Sequence, residues 1–303
     1  MEFVLLAVFL YLSQRAPNFL TAENLLSVLR TVAPMGLIAF GMTMVIIVGE
    51  IDLSVGAMVA FAGCLLAWMT ADGVPIPLGI AATLVCGAAV GAFTGLMRAW
   101  LQVPSFISTL ALFTGLKGAA LTITGGFPMT PFPEWFSFLG SGYVLGGIPF
   151  PGLVLVAGFV TTHVLMRSTR FGRAIYATGG NPSAARLSGI DVARVRVAVL
   201  AITGMLAAWS GVLLASRLMA GSPTAAQGWE LDVIAAVIIG GASFTGGVGT
   251  AWGTLVGVLF IGVINNGMTL MNVPPYPQYI IRGLLIFVAV LMNKMQARRT
   301  PAG

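Results

Sequence analysis

Apolar residues run along this chain in long unbroken blocks, with no alternation of period two and few polar interruptions. Ten blocks fall near residues 1 to 14, 31 to 48, 55 to 71, 78 to 97, 104 to 122, 149 to 166, 197 to 215, 232 to 248, 251 to 271 and 277 to 293. Most approach the ~20 residues with which a helix crosses a hydrocarbon core, and none alternates like an outer-membrane barrel strand. The pattern predicts an all-α, polytopic helical membrane protein of about ten transmembrane helices, forming a single domain over residues 1–303. The first block is the odd one, since Met1 to Ser13 as a helix would reach only about 20 Å. It lacks the basic start and small-residue cleavage site of a signal peptide. The expectation is a chain whose start was assigned too late or shortened, with the first half of its first span missing.

Polar residues gather in one place, Met166 to Val197. This island holds Arg167, Arg170, Arg173, Arg186, Arg194 and Arg196, six of the fifteen basic residues, against the single acid Asp191. Short arginine-rich loops stay on the cytoplasmic side, so the island orients the helices around it. The stretch from Arg98 to Val103 and the tail from Lys294 to Arg299 are also basic, whereas Gly125 to Pro149 carries Glu134 and no basic residue. This asymmetry predicts an even number of spans, both termini in the cytoplasm, a cytoplasmic loop at about 167–196 and an external loop at about 124–148. Arg15 and Arg30 fall outside as two exceptions. Within the island, Asn181 can cap a short helix that has Pro182 at its first position and ends at Gly189. A helix this short must lean on something. It reads as a docking element for a cytoplasmic partner, the duller alternative being a solvated loop with an incidental turn.

Composition sharpens the class. Of 303 residues, 58% are hydrophobic and 8% charged, and the mean hydropathy is +0.98. Soluble domains carry about 25% charged residues, so water cannot be the main solvent of this surface. The net charge of +6 lies in loops flanking the spans, which topology explains and nucleic-acid binding does not. Cys64 and Cys86 fall in apolar blocks and read as small buried hydrophobes. His163 is the only histidine, and no metal site or catalytic set assembles around it. The chain therefore reads as a non-enzyme without a cofactor of its own.

Glu50-Ile51-Asp52-Leu53 recurs as Glu230-Leu231-Asp232-Val233, and Val103-Pro104-Ser105-Phe106 as Val273-Pro274-Pro275-Tyr276. Each second copy lies five blocks after its first, which points to an inverted repeat. Acids near membrane depth are costly and usually functional. Asp52 or Ser54 can cap the helix that follows, and Glu50 can pair with an arginine, so structural or gating duty is favoured over substrate contact. Glu230 and Asp232 carry the same ambiguity at the outer end of the eighth span. Gly87, Gly91 and Gly95 form a stripe for close helix packing, as do Gly253 and Gly257. Gly240 to Gly249 is glycine-rich but lacks the Gly-Lys-Ser/Thr ending of a phosphate loop. It reads as a turn needing unusual backbone angles. Asn265, Asn266, Thr269 and Asn272 either glue helices together or line a path for a neutral polyhydroxylated substrate.

At Pro17 to Thr21, Gly41 to Gly56, Pro104 to Leu110, Gly172 to Ile190, Glu230 to Thr250 and Asn265 to Gly267, the sequence resembles the permease subunits of ribose-type monosaccharide ABC importers. It departs from them by carrying Glu50 where many relatives have glycine, and by its short N-terminus. The resemblance implies an inward carrier of a pentose, hexose or related polyol in the bacterial cytoplasmic membrane. The implied partners are a cytoplasmic ATPase subunit or tandem ATPase, a second permease copy or paralogue, an external sugar-binding protein and membrane lipid, with ATP and Mg held by the ATPase. It also implies that Asn181, Pro182, Ala184, Ala185, Arg186, Leu187, Gly189 and Ile190 couple to the ATPase, with the apolar ones in its groove. A branched-chain amino-acid permease and an ion-coupled secondary transporter are the alternatives.

Overall fold

A computed structural model describes residues 1–144, 146–274, 276–281, 283, 284, 287 and 291. In chain order the helices are α1 (Glu2–Arg15), α2 (Ala22–Ile47), α3 (Val55–Ala71), α4 (Ile76–Trp100), α5 (Ser105–Thr124), α6 (Ser137–Ser141), α7 (Phe150–Ser168), α8 (Arg170–Gly180), α9 (Pro182–Leu187), α10 (Val192–Leu218), α11 (Trp229–Ile239) and α12 (Ala251–Leu270). Of these, α2, α4, α5, α7, α10 and α12 are long and apolar enough to cross a membrane. The chain is an all-α helical membrane protein. Local chemistry sets the helix starts: Thr21, Thr169, Asn181, Asp191 and Thr250 each accept a backbone N–H of the turn they open.

Helix α2 is the axis of the bundle, with every residue from Val32 to Val48 buried. A helix apolar all round belongs inside. Helix α10 packs against it and against α3 and α4. The α4–α10 seam is backbone against backbone: a Cβ at Gly87, Gly91 or Gly95 would strike Gly204, Leu200 or Val197, respectively. Gly253 and Gly257 bring α12 equally close to Gly240 and Ala236 at α11. Both stripes thus replace side chains with direct contact between helix backbones, which suits a bundle where apolar burial alone gives no preference for protein over lipid.

Neighbouring contacts fix the directions. Glu2 of α1 accepts from the Trp252 indole at the start of α12, and Leu12 lies against Gly267 near its end, so these two run together. Helix α2 runs against α12, held by Thr43–Thr254 and Asn24–Asn266 contacts. Helices α3, α5 and α10 then leave the end that carries the arginine island, while α4, α7 and α11 return to it. At the opposite end, residues 125–144 and 146–149 form a cap with a 3-10 turn at Glu134–Phe136, α6, and an antiparallel pair β1 (Tyr143–Val144) and β2 (Ile148–Pro149). Buried Ser216 of α10 pins this cap, accepting from Gly140 N–H (2.7 Å) and donating to the Phe136 carbonyl.

The structure departs from the hydropathy pattern at three places. Helix α2 begins at Ala22, nine residues before its apolar block, because the Thr21 cap carries the polar stretch 22–30 into the helix. The eighth block does not form one span: α11 stops at Ile239, and 240–250 turns through left-handed glycines at 241, 246 and 247. The arginine island holds two helices, α8 and α9, rather than one. The tail from Lys294 to Arg299, Pro275 of the second repeat and eight of the seventeen residues of the tenth block lie outside the described residues.

Candidate functional site

The repeated acid motif opens the site. After α2 ends, Gly49 turns with φ +78° and the chain runs non-helically from Glu50 to Ser54 through the bundle interior. Buried backbone in a membrane must find partners. Ile51 N–H donates to Ser105 Oγ and Leu53 N–H to Thr109 Oγ1, both at 3.1 Å. The match is geometric: hydroxyls four residues apart on α5 stand about 6.0 Å apart along its axis. Alternate residues of an extended chain are spaced about 6.6 Å apart. Helix α5 therefore supports the segment much as a neighbouring strand would.

Charge locks one end of this segment. Arg98 Nε donates to Glu50 Oε1 at 2.8 Å. Arg196 Nε lies 2.9 Å from the same oxygen as an ion pair, its N–H pointing off the line of a hydrogen bond. The Glu50 side chain is 4% exposed, that of Arg196 13% and that of Arg98 28%. A carboxylate this deep is tolerable only when paired. Glu50 thus ties α4 to α10 and is not a helix cap. Nor does Asp52 or Ser54 cap α3 as expected: Ser54 stands at the cap position, but its side chain accepts no N–H of the first turn. Asp52 Oδ1 instead takes the N–H and the hydroxyl of Ser54 at 2.8 and 2.6 Å, holding the turn into the helix.

Beside the two arginines a cleft of about 380 Å³ is lined by Arg98, Gln102, Arg186, Ile190, Asp191 and Arg196. The short helix α9 stands over it. Asn181 Oδ1 accepts from Ser183 N–H (3.1 Å) and Ala184 N–H (3.0 Å), and Gly189 turns with φ +81°. Leu187 is 91% exposed and Ala184 and Arg186 are exposed as well. Ala185 and Ile190 differ from the expectation of an outward apolar face: Ala185 is buried, and Ile190 packs against the main core. Helix geometry separates them, since residues 184 and 187 lie on one side of the turn and 185 on the other.

Helix α8 joins this unit to the bundle. Tyr176 donates its hydroxyl to the Gly249 carbonyl at 2.7 Å, and burial pushes its phenol above the ordinary value. Gly247 N–H donates to the Ile47 carbonyl at 2.8 Å. A Cβ at Gly179 would collide with that same carbonyl. The end of α2, helix α8 and the glycine loop therefore meet at one point, which is what the left-handed glycines permit.

Glu230 and Asp232 sit in the first turn of α11, which starts partway along the bundle and not at its outer end. A Cβ on Gly56 would strike the Glu230 carboxylate, so the two acid motifs meet around α3. Asp232 is buried and lines a cavity of about 360 Å³ with Ser27, Thr31, Arg217, Trp229 and Asn265. Asn266 acts as glue: its amide donates to Asn24 Oδ1 (2.7 Å) and accepts from Asn24 Nδ2 (3.1 Å). Thr269 bonds back to the Asn265 carbonyl, and Asn272 turns with φ +54° after α12. Cys64 and Cys86 are free thiols in α3 and α4, and His163 lies against Phe159 on α7.

Sequence reasoning missed Arg98, Arg196, Ser105, Thr109 and Tyr176 as individual site residues. The hydroxyl pair at 105 and 109, four apart in an apolar helix, was a signal present in the sequence.

The chain matches, over residues 24–290, the family model described as branched-chain amino acid transport system / permease component. It is 44% identical over 283 residues to the ribose import permease protein RbsC of Bacillus subtilis, covering 93% of this chain and 88% of that protein. Against RbsC of Escherichia coli (strain K12) the identity is 40% over 297 residues, covering 96% and 92%. The L-arabinose ABC transporter permease protein AraH of Azospirillum brasilense is 39% identical over 299 residues, covering 99% and 88%. No solved structure matches the chain. With both acid motifs, the α8–α9 unit and the glycine loop inside the matched region, the chain belongs to the family of branched-chain amino acid transport system permease components and, within it, groups with the ribose-type monosaccharide ABC permeases.

Proposed function

We infer that this chain is the membrane-spanning permease of an ATP-driven importer that carries a pentose, hexose or related polyol into the cytoplasm. The observation that carries this is near-full-length similarity to permeases whose names specify ribose, arabinose and xylose. In this reading the arginine end is cytoplasmic, ten spans cross the membrane with both termini inside, and two inverted five-span units build the bundle. The alternating helix directions and the two interrupted spans support it. Two permease copies, or this chain and a paralogue, would enclose the path, fed by an external binding protein and driven by cytoplasmic ATPase domains that hold ATP and Mg.

Helix α9 is the docking element. Its exposed Leu187 and Ala184 suit an apolar groove, and Arg186 suits an acid at the rim. Asn181, Pro182 and Gly189 shape the helix, while Ala185 and Ile190 key it to the bundle. When the ATPase domains close, α8 and α9 move with α7 and α10. The cleft lined by Arg186 also holds the Arg98 and Arg196 partners of Glu50, so that motion reaches the segment from Glu50 to Ser54, the gate. Uptake into proteoliposomes holding the permease, its ATPase and its binding protein tests this with labelled ribose, arabinose and xylose. Vanadate should stop uptake and a protonophore should not. Uptake that collapses with the protonophore and needs no ATP would make the chain a secondary transporter.

A further inference from the structure

Helix α5 carries a lysine where a membrane-spanning helix has little reason for one. Its buried side is Ser105, Thr109, Leu116 and Ala120, so Lys117 stands toward the open side with Thr114, Gly118 and Thr122. A cation facing lipid at mid-span costs on the order of 2.5–3.5 kcal/mol or more, and such residues face water or a cavity instead. Lys117 does so here: it lines a pocket with Phe113, Thr224, Gln227 and Glu230. Thr224 and Gln227 are exposed on the 222–228 turn, which Ala226 (φ +55°) and Gly228 (φ +83°) bend through left-handed backbone. Glu230 Oε2 is buried without a hydrogen-bond partner. It forms no ion pair with Lys117 among the described residues. An ammonium and a carboxylate thus share a pocket without touching, together with an amide, a hydroxyl and an aromatic ring.

We propose that Lys117, Gln227, Thr224 and Glu230, with Phe113 as the apolar platform, form one half of a polyol-binding site in the transport path. The proposal rests on the sugar-permease reading above. Donors, acceptors and a ring are what a neutral polyhydroxylated ligand needs, since each hydroxyl both donates and accepts and the C–H face of the sugar is apolar. The pocket offers about 50 Å³ on one chain. At ~10–15 Å³ per water that is room for roughly four waters, one edge of a sugar ring and not the whole of it. The missing half comes from a second copy facing the open side of α5, so the site is complete only in the pair. Gly56 belongs to the design, because any side chain there would displace the Glu230 carboxylate.

The test is uptake by the full complex in proteoliposomes, using whichever of ribose, arabinose and xylose the wild type carries, and that sugar's mono-deoxy analogues. A group that binds a hydroxyl loses its preference when that hydroxyl is absent. Lys117→Met and Glu230→Gln should each lower uptake of the parent sugar at least about tenfold and shrink its advantage over one deoxy analogue. The binding protein is common to all samples, so a changed ratio reports the permease. ATPase rate and dimer mass serve as assembly controls, and Gln227→Ala and Thr224→Ala, on the exposed turn, carry the same comparison if the membrane variants do not assemble. A wild type that carries sugar beside variants that keep both its rate and its ratio overturns the site alone. Variants that lose uptake while every ratio stays wild-type also overturn it, making Lys117 a contact between copies. A wild type that carries none of the sugars overturns the site and the sugar reading together.

Discussion

Glu50→Gln removes the one charge that offsets two guanidinium groups in the interior. Opposite charges ~4 Å apart attract by about 4 kcal/mol at an effective dielectric of ~20. Arg98, with 28% of its side chain exposed, has its share discounted toward the ~0–1 kcal/mol of surface pairs. Arg196, 13% exposed, takes most of the buried value, and removing one member of a buried pair costs about 3–5 kcal/mol. Glu50→Gln should therefore destabilise the permease by roughly that amount, and Arg196→Gln by less, about 2–3 kcal/mol, because Arg98 still balances the carboxylate. The double variant leaves no unpaired carboxylate and should fall about 2 kcal/mol short of the sum of the singles, a coupling typical of residues in contact. At ~2–4 °C per kcal/mol, Glu50→Gln should lower the thermal midpoint of the purified complex by roughly 10 °C. Transport should slow without a change in preference among sugars. A double-mutant cycle that is additive, or a Glu50→Gln midpoint within about 2 °C of wild type, would refute the reasoning.

Leu187→Ser alters a side chain that is 91% exposed on this chain, so the permease's own stability should change by less than about 0.5 kcal/mol. Stimulation of the ATPase and sugar uptake should nevertheless fall at least about tenfold, and unaltered stimulation in the purified complex would show that α9 docks nowhere. Gly189→Asp adds a strain of about 1 kcal/mol at its left-handed backbone and puts a charge at the same contact, so it should insert normally yet neither stimulate ATP hydrolysis nor transport. Tyr176→Phe loses the bond to the Gly249 carbonyl at a cost of about 1 kcal/mol. Because burial raises the folded-state value of this phenol, the wild type should lose stability as pH climbs past the ordinary 10.0, and the difference from Tyr176→Phe should shrink there; a constant difference in melting from pH 8 to 11 would speak against it. Ser183→Cys, with Cys64 and Cys86 replaced by alanine, should react with an impermeant thiol reagent only in inside-out vesicles, and labelling of intact cells would reverse the topology.

What the sequence made legible was whatever rests on local chemistry. Asn181, Pro182 and Gly189 specify the start and end of α9 by themselves, and the structure has the cap, the first turn and the left-handed close at those residues. The glycine stripes were equally plain, since four-residue spacing on an apolar helix has few other uses. Hydropathy separated the blocks at 48 and 55 but could not see that the chain between them runs extended through the bundle, nor that the eighth block breaks after Ile239. What holds the first stretch lies in Ser105 and Thr109, about fifty residues away. The Glu50 pairs join positions 48 and 146 residues apart, and a single sequence holds nothing that couples them. Ala185 and Ile190 pointed the wrong way because both are apolar, and burial within the chain looks the same in sequence as burial against a partner.

The interrupted stretch is also where the proposed mechanism has this bundle yield. A helix satisfies its own backbone, so moving it as a body breaks nothing inside it. The segment from Glu50 to Ser54 has no such reserve: its amides are held by hydroxyls of another helix and its first side chain by two arginines. The hydroxyl bonds can be exchanged for water at a net cost of about 1 kcal/mol each and the bonds to the charged carboxylate at about 1.5–3 kcal/mol, which is still less than breaking a helix in hydrocarbon. One end of this short chain stands at the cleft under α9, and the other runs into Gly56, against Glu230. Seven residues, Glu50 to Gly56, therefore separate the arginine pairs at that cleft from the position packed against Glu230. In the proposed mechanism this short covalent stretch is the route by which a change in the arginine pairs reaches the far side of the bundle, because the hydroxyl anchors on α5 leave it little slack.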